Sequence, residues 1–87
     1  MSTYTDENTN GYKIRTFDKD VLDNELIWHR DLKDRMVEVI NGYGWKFQFD
    51  NELPLDLKPG DILYIKKDRI HRVIKGYSDL TIKIKEF

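Results

Sequence analysis

Residues 58–76 read KPGDILYIKKDRIHRVIKG, and this stretch decides the fold of the chain. Its Pro-Gly-Asp step at residues 59–61 predicts a tight turn, because Pro fixes φ, Gly accepts a positive φ and Asp can bond the following backbone. Residues 62–65 are an apolar run of strand length, and residues 70–75 predict a second strand by alternation. That alternation places His71 on the same face as a valine, so His71 is predicted to point into the protein.

The rest of the chain repeats this pattern of short strands separated by turns. Strands are predicted at residues 12–17, 25–31, 35–40, 45–50, 53–57, 62–65, 70–75 and 80–86. An Asn-Gly step at residues 41–42 predicts a hairpin between two of them. A helix over residues 21–39 is the main alternative, but charged residues would fall on its apolar stripe. The sequence therefore predicts an all-β sandwich or barrel.

The chain is predicted to form one domain. Residues 1–10 are polar and predict a flexible N-terminal tail, and residues 11–87 predict the folded domain. A chain of 87 residues buries a small core, so assembly would help its stability. On the predicted strand at residues 25–31, Leu26 and Trp28 would face outward and would need a cover. We therefore expect a homodimer.

Composition excludes several classes of function. Fifteen basic and sixteen acidic residues give a net charge of -1, which offers no electrostatic basis for binding nucleic acid or an anionic membrane. The chain has no cysteine, so disulfides, thiolate catalysis and cysteine-based metal sites are excluded. No apolar run approaches the ~20 residues that span a bilayer, and no signal-peptide pattern is present. We expect a cytoplasmic protein whose partner is a small molecule.

The two histidines of the chain, His29 and His71, are the first candidates for chemistry. Asp31 follows His29 by two residues, so in a strand the two side chains share a face. Two imidazoles and one carboxylate are the ligands of a mononuclear Fe, Mn, Ni or Zn site with open positions for a substrate. The alternative is that these polar groups satisfy one another in a small core, without a cofactor.

Two stretches around these histidines resemble the paired motifs of the cupin superfamily of small β-barrels. The first family motif, His-x-His, a short spacer, Glu and a later Gly, is matched in register by His29, Asp31, Arg35 and Gly42. The second, with Gly, Pro-x-Gly, His and Asn, is matched in register by Gly60, Lys66, Asp68, His71 and Lys75. The resemblance implies a small single-domain jelly-roll β-barrel, and it implies a divalent metal held by His29, Asp31 and His71.

This chain departs from the family pattern at two ligand positions. Asp31 stands where metal-binding cupins have a histidine, and Arg35 stands where they have a glutamate. A guanidinium cannot bind a cation, so we expect Arg35 to pair with Asp31 or to hold an anionic ligand.

Three interpretations remain open at this stage. In the first, a metal at the three ligands supports dioxygenase or isomerase-type chemistry on a small molecule. In the second, the site holds no metal: Arg35 binds an anion, a histidine acts as acid or base, and Tyr64 assists, as in sugar-nucleotide epimerases of cupin fold. In the third, the domain is a binding or structural module. Trp45 and Phe47 are predicted either to line the ligand pocket or to belong to the core.

Overall fold

The computed structural model describes residues 3–87 and is built almost entirely of β-strands. The strands are β1 Tyr4–Thr9, β2 Tyr12–Phe17, β3 Arg35–Asn41, β4 Lys46–Phe49, β5 Leu55–Asp56, β6 Ile62–Ile65, β7 His71–Ile74 and β8 Leu80–Glu86. One 3-10 helix, η1, spans Asp23–Glu25. Across residues 3–87, no helix has the length and apolar character to cross a bilayer. The predicted all-β class is confirmed.

The strands form two antiparallel sheets that face each other. The larger sheet has the order β1-β2-β8-β3-β6, and the smaller has the order β5-β4-β7. The sheets do not close into a barrel, because β1 and β6 at the edges of the larger sheet pair with no strand of the smaller one among residues 3–87. The predicted barrel is therefore corrected to an open, two-sheet jelly roll.

The core lies between the two sheets and is built by alternation. In β8, Leu80, Ile82 and Ile84 are buried, as predicted, while the residues between them are more accessible. Trp45, Phe47 and Val39 are also almost completely buried, with Trp45 immediately before β4 and Phe47 within β4 of the smaller sheet, and Val39 in β3 of the larger one. Burying one such side chain contributes about 1.5–3 kcal/mol, so this strip accounts for much of the driving force of folding.

The segment at residues 25–31 is not a strand, contrary to the prediction. The Glu25 carboxylate accepts a hydrogen bond from the Leu22 amide at 3.2 Å, and this contact turns the chain into η1. Leu26 is consequently buried in the core rather than facing outward. Trp28 is 41% exposed, and the Arg72 guanidinium lies over its ring at 4.4 Å. The homodimer stays a prediction. Leu26 no longer supports it, because a buried Leu26 needs no cover from a second subunit.

The Asn-Gly step at residues 41–42 does not make the predicted hairpin. β3 pairs with β6 and β8, whereas β4 pairs with β5 and β7, so the chain passes here from one sheet to the other. An irregularity in the pairing between Val39 and Asn41 accompanies this change of direction. The strand predicted at residues 53–57 is likewise reduced to β5, which pairs with β4 at only two positions.

The predicted tail at residues 1–10 is corrected over most of its length. Residues 4–9 form β1, which pairs with β2 along all six positions although each of its residues is exposed. The Asp6 carboxylate accepts hydrogen bonds from Arg15 Nε at 2.8 Å and Nη2 at 3.1 Å, so backbone pairing and a two-pronged ion pair replace burial. Residues 1–2 of the predicted tail lie outside the described part of the chain.

We expect the attachment of β1 to weaken in acid. The hydrogen bond from Arg15 lowers the pKa of Asp6 below its ordinary value of 3.8. Because the folded pKa is depressed, the stabilisation is present above the unfolded pKa and is lost as the pH falls through the folded pKa. Asp6→Asn should therefore reduce the melting temperature by more at pH 6 than at pH 3, where part of the stabilisation is already lost. Thermal melts of both proteins between these pH values measure this difference, and a constant gap across the range would contradict it.

Candidate metal centre

A cavity of about 270 Å³ lies between the two sheets. Apolar side chains from both sheets form most of its wall, among them Val37, Phe47 and Ile82. Polar groups that line it include His29, Asp31, Arg35, His71, Arg15 and Glu25. The cavity thus combines an apolar lining with a few convergent polar groups, which is the usual form of a small-molecule site.

The structure brings His29, Asp31 and His71 together at this cavity. Each offers one ligand atom, and the three atoms lie within 4.8 Å of one another. Asp31 Oδ2 lies 3.3 Å from His71 Nε2, and Asp31 Oδ1 lies 4.0 Å from His29 Nε2. His71 and Asp31 are buried, whereas the His29 side chain is 48% exposed, so the prediction that His29 points inward holds only in part.

Backbone hydrogen bonds hold the two histidines in position. His71 is the first residue of β7, and His29 lies opposite it in an isolated pair: the amide of each donates to the carbonyl of the other, at 3.0 and 2.9 Å. His71 Nδ1 lies 2.7 Å from the Arg69 carbonyl, and His29 Nδ1 lies 3.2 Å from the Ile27 carbonyl. Because a carbonyl only accepts, Nδ1 is the donor in each neutral ring, and Nε2 keeps its lone pair for the site.

Asp31 Oδ2 is a buried oxygen with no hydrogen-bond partner among residues 3–87. Its nearest polar neighbour in the triad, His71 Nε2, carries a lone pair in the tautomer that the Arg69 carbonyl selects, so two acceptors face each other. A buried acceptor without a donor costs about 1–3 kcal/mol. A cation between these atoms removes that cost, and one carboxylate with two imidazoles is a donor set that fits a divalent transition metal.

The neutral form of the His71 side chain, which can bind a metal, is favoured in this structure. Burial lowers the pKa of His71 below its ordinary value of 6.5, and the nearby His29 and Arg35 act in the same direction. The hydrogen bond to the Arg69 carbonyl and the charge of Asp31 oppose this shift. The neutral imidazole is therefore favoured at neutral pH, and neutral imidazole is the form that binds metals.

Arg35, at the start of β3, links the triad to a second carboxylate. Its Nη1 lies 3.2 Å from Asp31 Oδ1, which confirms the predicted pairing of these two residues. Its Nε and Nη2 both donate to Glu86 Oε2 at 3.1 Å, and this contact lowers the pKa of Glu86. Asp31 therefore has one oxygen held by Arg35 and the other oxygen left for a ligand.

Comparison with known proteins gives matches in structure only. No family model matches the sequence, and no curated protein sequence matches it significantly. A cupin-2 domain protein from Shewanella frigidimarina superposes with a TM-score of 0.69 and 16% identity, covering 100% of this chain and 84% of that one. A DMSP lyase structure, of RdDddP and RnDddQII, gives a TM-score of 0.73 and 16% identity over 86% of this chain and 36% of that one.

A third similar structure is that of Fe(II) HppE, with a TM-score of 0.65 and 12% identity. It covers 87% of this chain and 41% of that one, so this chain spans less than half of HppE. The chain has the cupin fold. At these identities the likeness shows the fold alone, and the chemistry of the cavity has to be argued from the residues of this cupin fold themselves.

Two residues predicted at the ligand pocket lie outside the cavity of this cupin fold. Tyr64 is 71% exposed, because the alternation of β6 buries Ile65 and turns Tyr64 to the outer face. Trp45 is fully buried in the core, and its Nε1 donates to the Ser78 carbonyl at 2.6 Å. Phe47 does line the cavity, where its ring stacks on His71 with centroids 5.5 Å apart.

Two charged residues at the cavity, Arg15 and Glu25, were not predicted from the sequence, and Arg15 is the buried one. Arg15 in β2 is 8% exposed and lines the cavity. The only signal was its position two residues before Phe17, which is buried on the same face. Alternation alone could not show that the face of Arg15 is the buried one, because Ile14 on the opposite face of β2 is an equally good candidate for the core.

Proposed function

We propose that this cupin-fold domain binds a divalent metal ion through His29, Asp31 and His71, and binds a small molecule in the adjoining cavity. The observation that carries the proposal is the buried Asp31 Oδ2, which has no hydrogen-bond partner among residues 3–87 and faces an imidazole nitrogen. Fe, Mn, Ni and Zn all accept two imidazoles and one carboxylate, and Fe(II) is the commonest occupant when coordination positions stay open. The fold of Fe(II) HppE is in keeping with this choice.

Different residues of the chain would orient the metal ligands and shape the cavity beside them. When bound, the metal would act as a Lewis acid that polarises an oxygen of the small molecule. The Arg69 and Ile27 carbonyls fix the imidazole orientations, and Arg35 holds Asp31 Oδ1 so that Oδ2 is the oxygen directed to the site. The apolar wall lowers the local dielectric constant and so strengthens the electrostatic contacts within the cavity. Dioxygenase or isomerase-type chemistry is the proposed activity class.

A second candidate function is a small-molecule binding module without a metal. The Arg35 contact with Asp31 favours it, because the guanidinium already neutralises the carboxylate that a cation would need. In this case the unpaired Asp31 oxygen would accept a hydrogen bond from the ligand itself. The homodimer and the cytoplasmic location stay predictions under either function.

Metal titration separates the two candidates. We expect chelator-treated protein to bind one equivalent of Fe(II), Mn(II), Ni(II) or Zn(II) in isothermal titration calorimetry. The melting temperature should rise with occupancy, since a ligand at one hundred times its Kd stabilises the native state by about 2.7 kcal/mol. The absence of stoichiometric binding by all four metals, with unchanged melts, would leave the metal-free binding module.

A further inference from the structure

Arg15 is the second arginine of the cavity wall and lies in β2, whereas Arg35 begins β3. Its side chain is 10% exposed, and its guanidinium stacks under the Tyr4 ring at 3.7 Å, which fixes its orientation. Two of its five N–H donors bond to Asp6. The other three have no acceptor among residues 3–87, although a rigid guanidinium presents all five in one plane.

The nearest acidic group to Arg15 is already engaged by basic side chains. Asp6 is bound by Arg15 and also lies 3.8 Å from Lys13 Nζ, and the charges that lower its pKa come from Arg15, Lys13 and Arg35. Glu25 is the acidic group on the cavity wall outside the triad, and one of its oxygens accepts the Leu22 amide. Asp6 is thus occupied by two basic groups, and the remaining N–H donors of Arg15 favour a second anion beside it over a cation.

We propose that the cavity binds a small organic anion, with a carboxylate on the free N–H donors of Arg15 and a short apolar carbon skeleton against the two sheets. The chemistry of the wall supports both halves of this ligand. A guanidinium binds carboxylates through paired hydrogen bonds, and Phe17, Ile82 and Val39 supply apolar surface close to it. This inference rests on the proposed function for the role of the cavity as the ligand site, but the carboxylate contact itself needs no metal.

The test uses the full chain in its metal-free form, with hexanoate as the probe and 1-hexanol as the uncharged control of the same chain length. Two-dimensional amide NMR titrations measure the affinity of each. We expect hexanoate to bind more tightly than 1-hexanol. Arg15→Gln should weaken hexanoate binding at least about tenfold, which corresponds to one hydrogen bond to a charged group.

Lys13→Gln is the matched control. Lys13 contacts the same Asp6 carboxylate but is not part of the cavity wall, so its replacement should change hexanoate binding less than about twofold. Equal weakening by Arg15→Gln and Lys13→Gln would overturn the proposal, because the effect would then be general electrostatics. Loss of binding in Arg35→Gln with retention in Arg15→Gln would also overturn it and would move the anion to the triad.

Asp6→Asn tests the proposal if Arg15→Gln does not fold. It removes the carboxylate that competes for Arg15 and should tighten hexanoate binding severalfold, so an unchanged affinity would count against the anion site. The two proposals fail independently. A chain that binds metal but not hexanoate retains the proposed function alone, whereas one that binds hexanoate through Arg15 but no metal retains the anion site alone.

Discussion

Replacing His71 with alanine should weaken divalent-metal binding by at least about 100-fold. Loss of a group that merely orients a metal ligand costs 10–100-fold in affinity, so loss of the ligand itself should cost more. Asp31→Asn should produce a similar loss while keeping the shape of the side chain, because the amide oxygen carries no charge. Competition with a fluorescent chelator measures both affinities, and circular dichroism confirms that each variant is folded.

Arg72→Ala is the control for this experiment. Arg72 follows His71 in β7, and strand alternation places its side chain on the opposite face, where it stacks on Trp28. The Arg72→Ala variant should keep a metal affinity within about fivefold of the original chain, since it loses the contact with Trp28 but no ligand atom. Equal affinities of His71→Ala and Arg72→Ala for the metal would contradict the assignment of His71 as a ligand.

Gly76→Ala should strongly destabilise the fold. An added Cβ would lie 2.3 Å from the Tyr43 carbonyl oxygen and 2.4 Å from the Trp45 amide nitrogen, and both are backbone atoms that cannot move alone. Overpacking of this kind costs about 3 kcal/mol or more when no side chain can yield. Urea denaturation gives the free energy of unfolding, and a variant that does not fold would agree with the prediction.

Gly60→Ala separates lack of space from backbone strain. Gly60 has a φ of +93°, but an added Cβ would meet nothing within 4 Å. Its replacement should cost only the conformational penalty of about 1–2 kcal/mol. If Gly60→Ala were as destabilising as Gly76→Ala, the steric argument for Gly76 would be wrong.

Local pattern was sufficient to predict the strands where alternation is strict. β8 alternates over its whole length, and its bounds in the structure are those predicted. The segment at residues 25–31 has three consecutive apolar residues and was predicted as a strand, but the capping contact of Glu25 and the burial of Leu26 outweigh that pattern. The partners of β3 and β4 depend on contacts between distant parts of the chain, which an Asn-Gly step cannot report.

The candidate site was predictable only where strand alternation or the resemblance to the cupin motifs fixed the position of a residue. The alternation of β7 placed His71 inward, and the departure at Arg35 from the cupin pattern predicted its contact with Asp31. The position of Tyr64 was not predictable, because all four residues of β6 are apolar or aromatic and either face could have been the inner one. Arg15 was missed because a charged residue in an alternating strand is ordinarily exposed.

The isolated pair between His29 and His71 has a kinetic consequence. Two of the three triad residues lie in a segment without regular structure, and in that segment the backbone is joined to β7 by two hydrogen bonds. Breaking those two bonds separates His29 from β7, while the Asp68 amide and Arg35 still hold Asp31. The triad then opens at His29 with both sheets intact, and such local openings are far more frequent than global unfolding. For a metal bound there, the residence time would be set by this local opening and not by the lifetime of the folded domain.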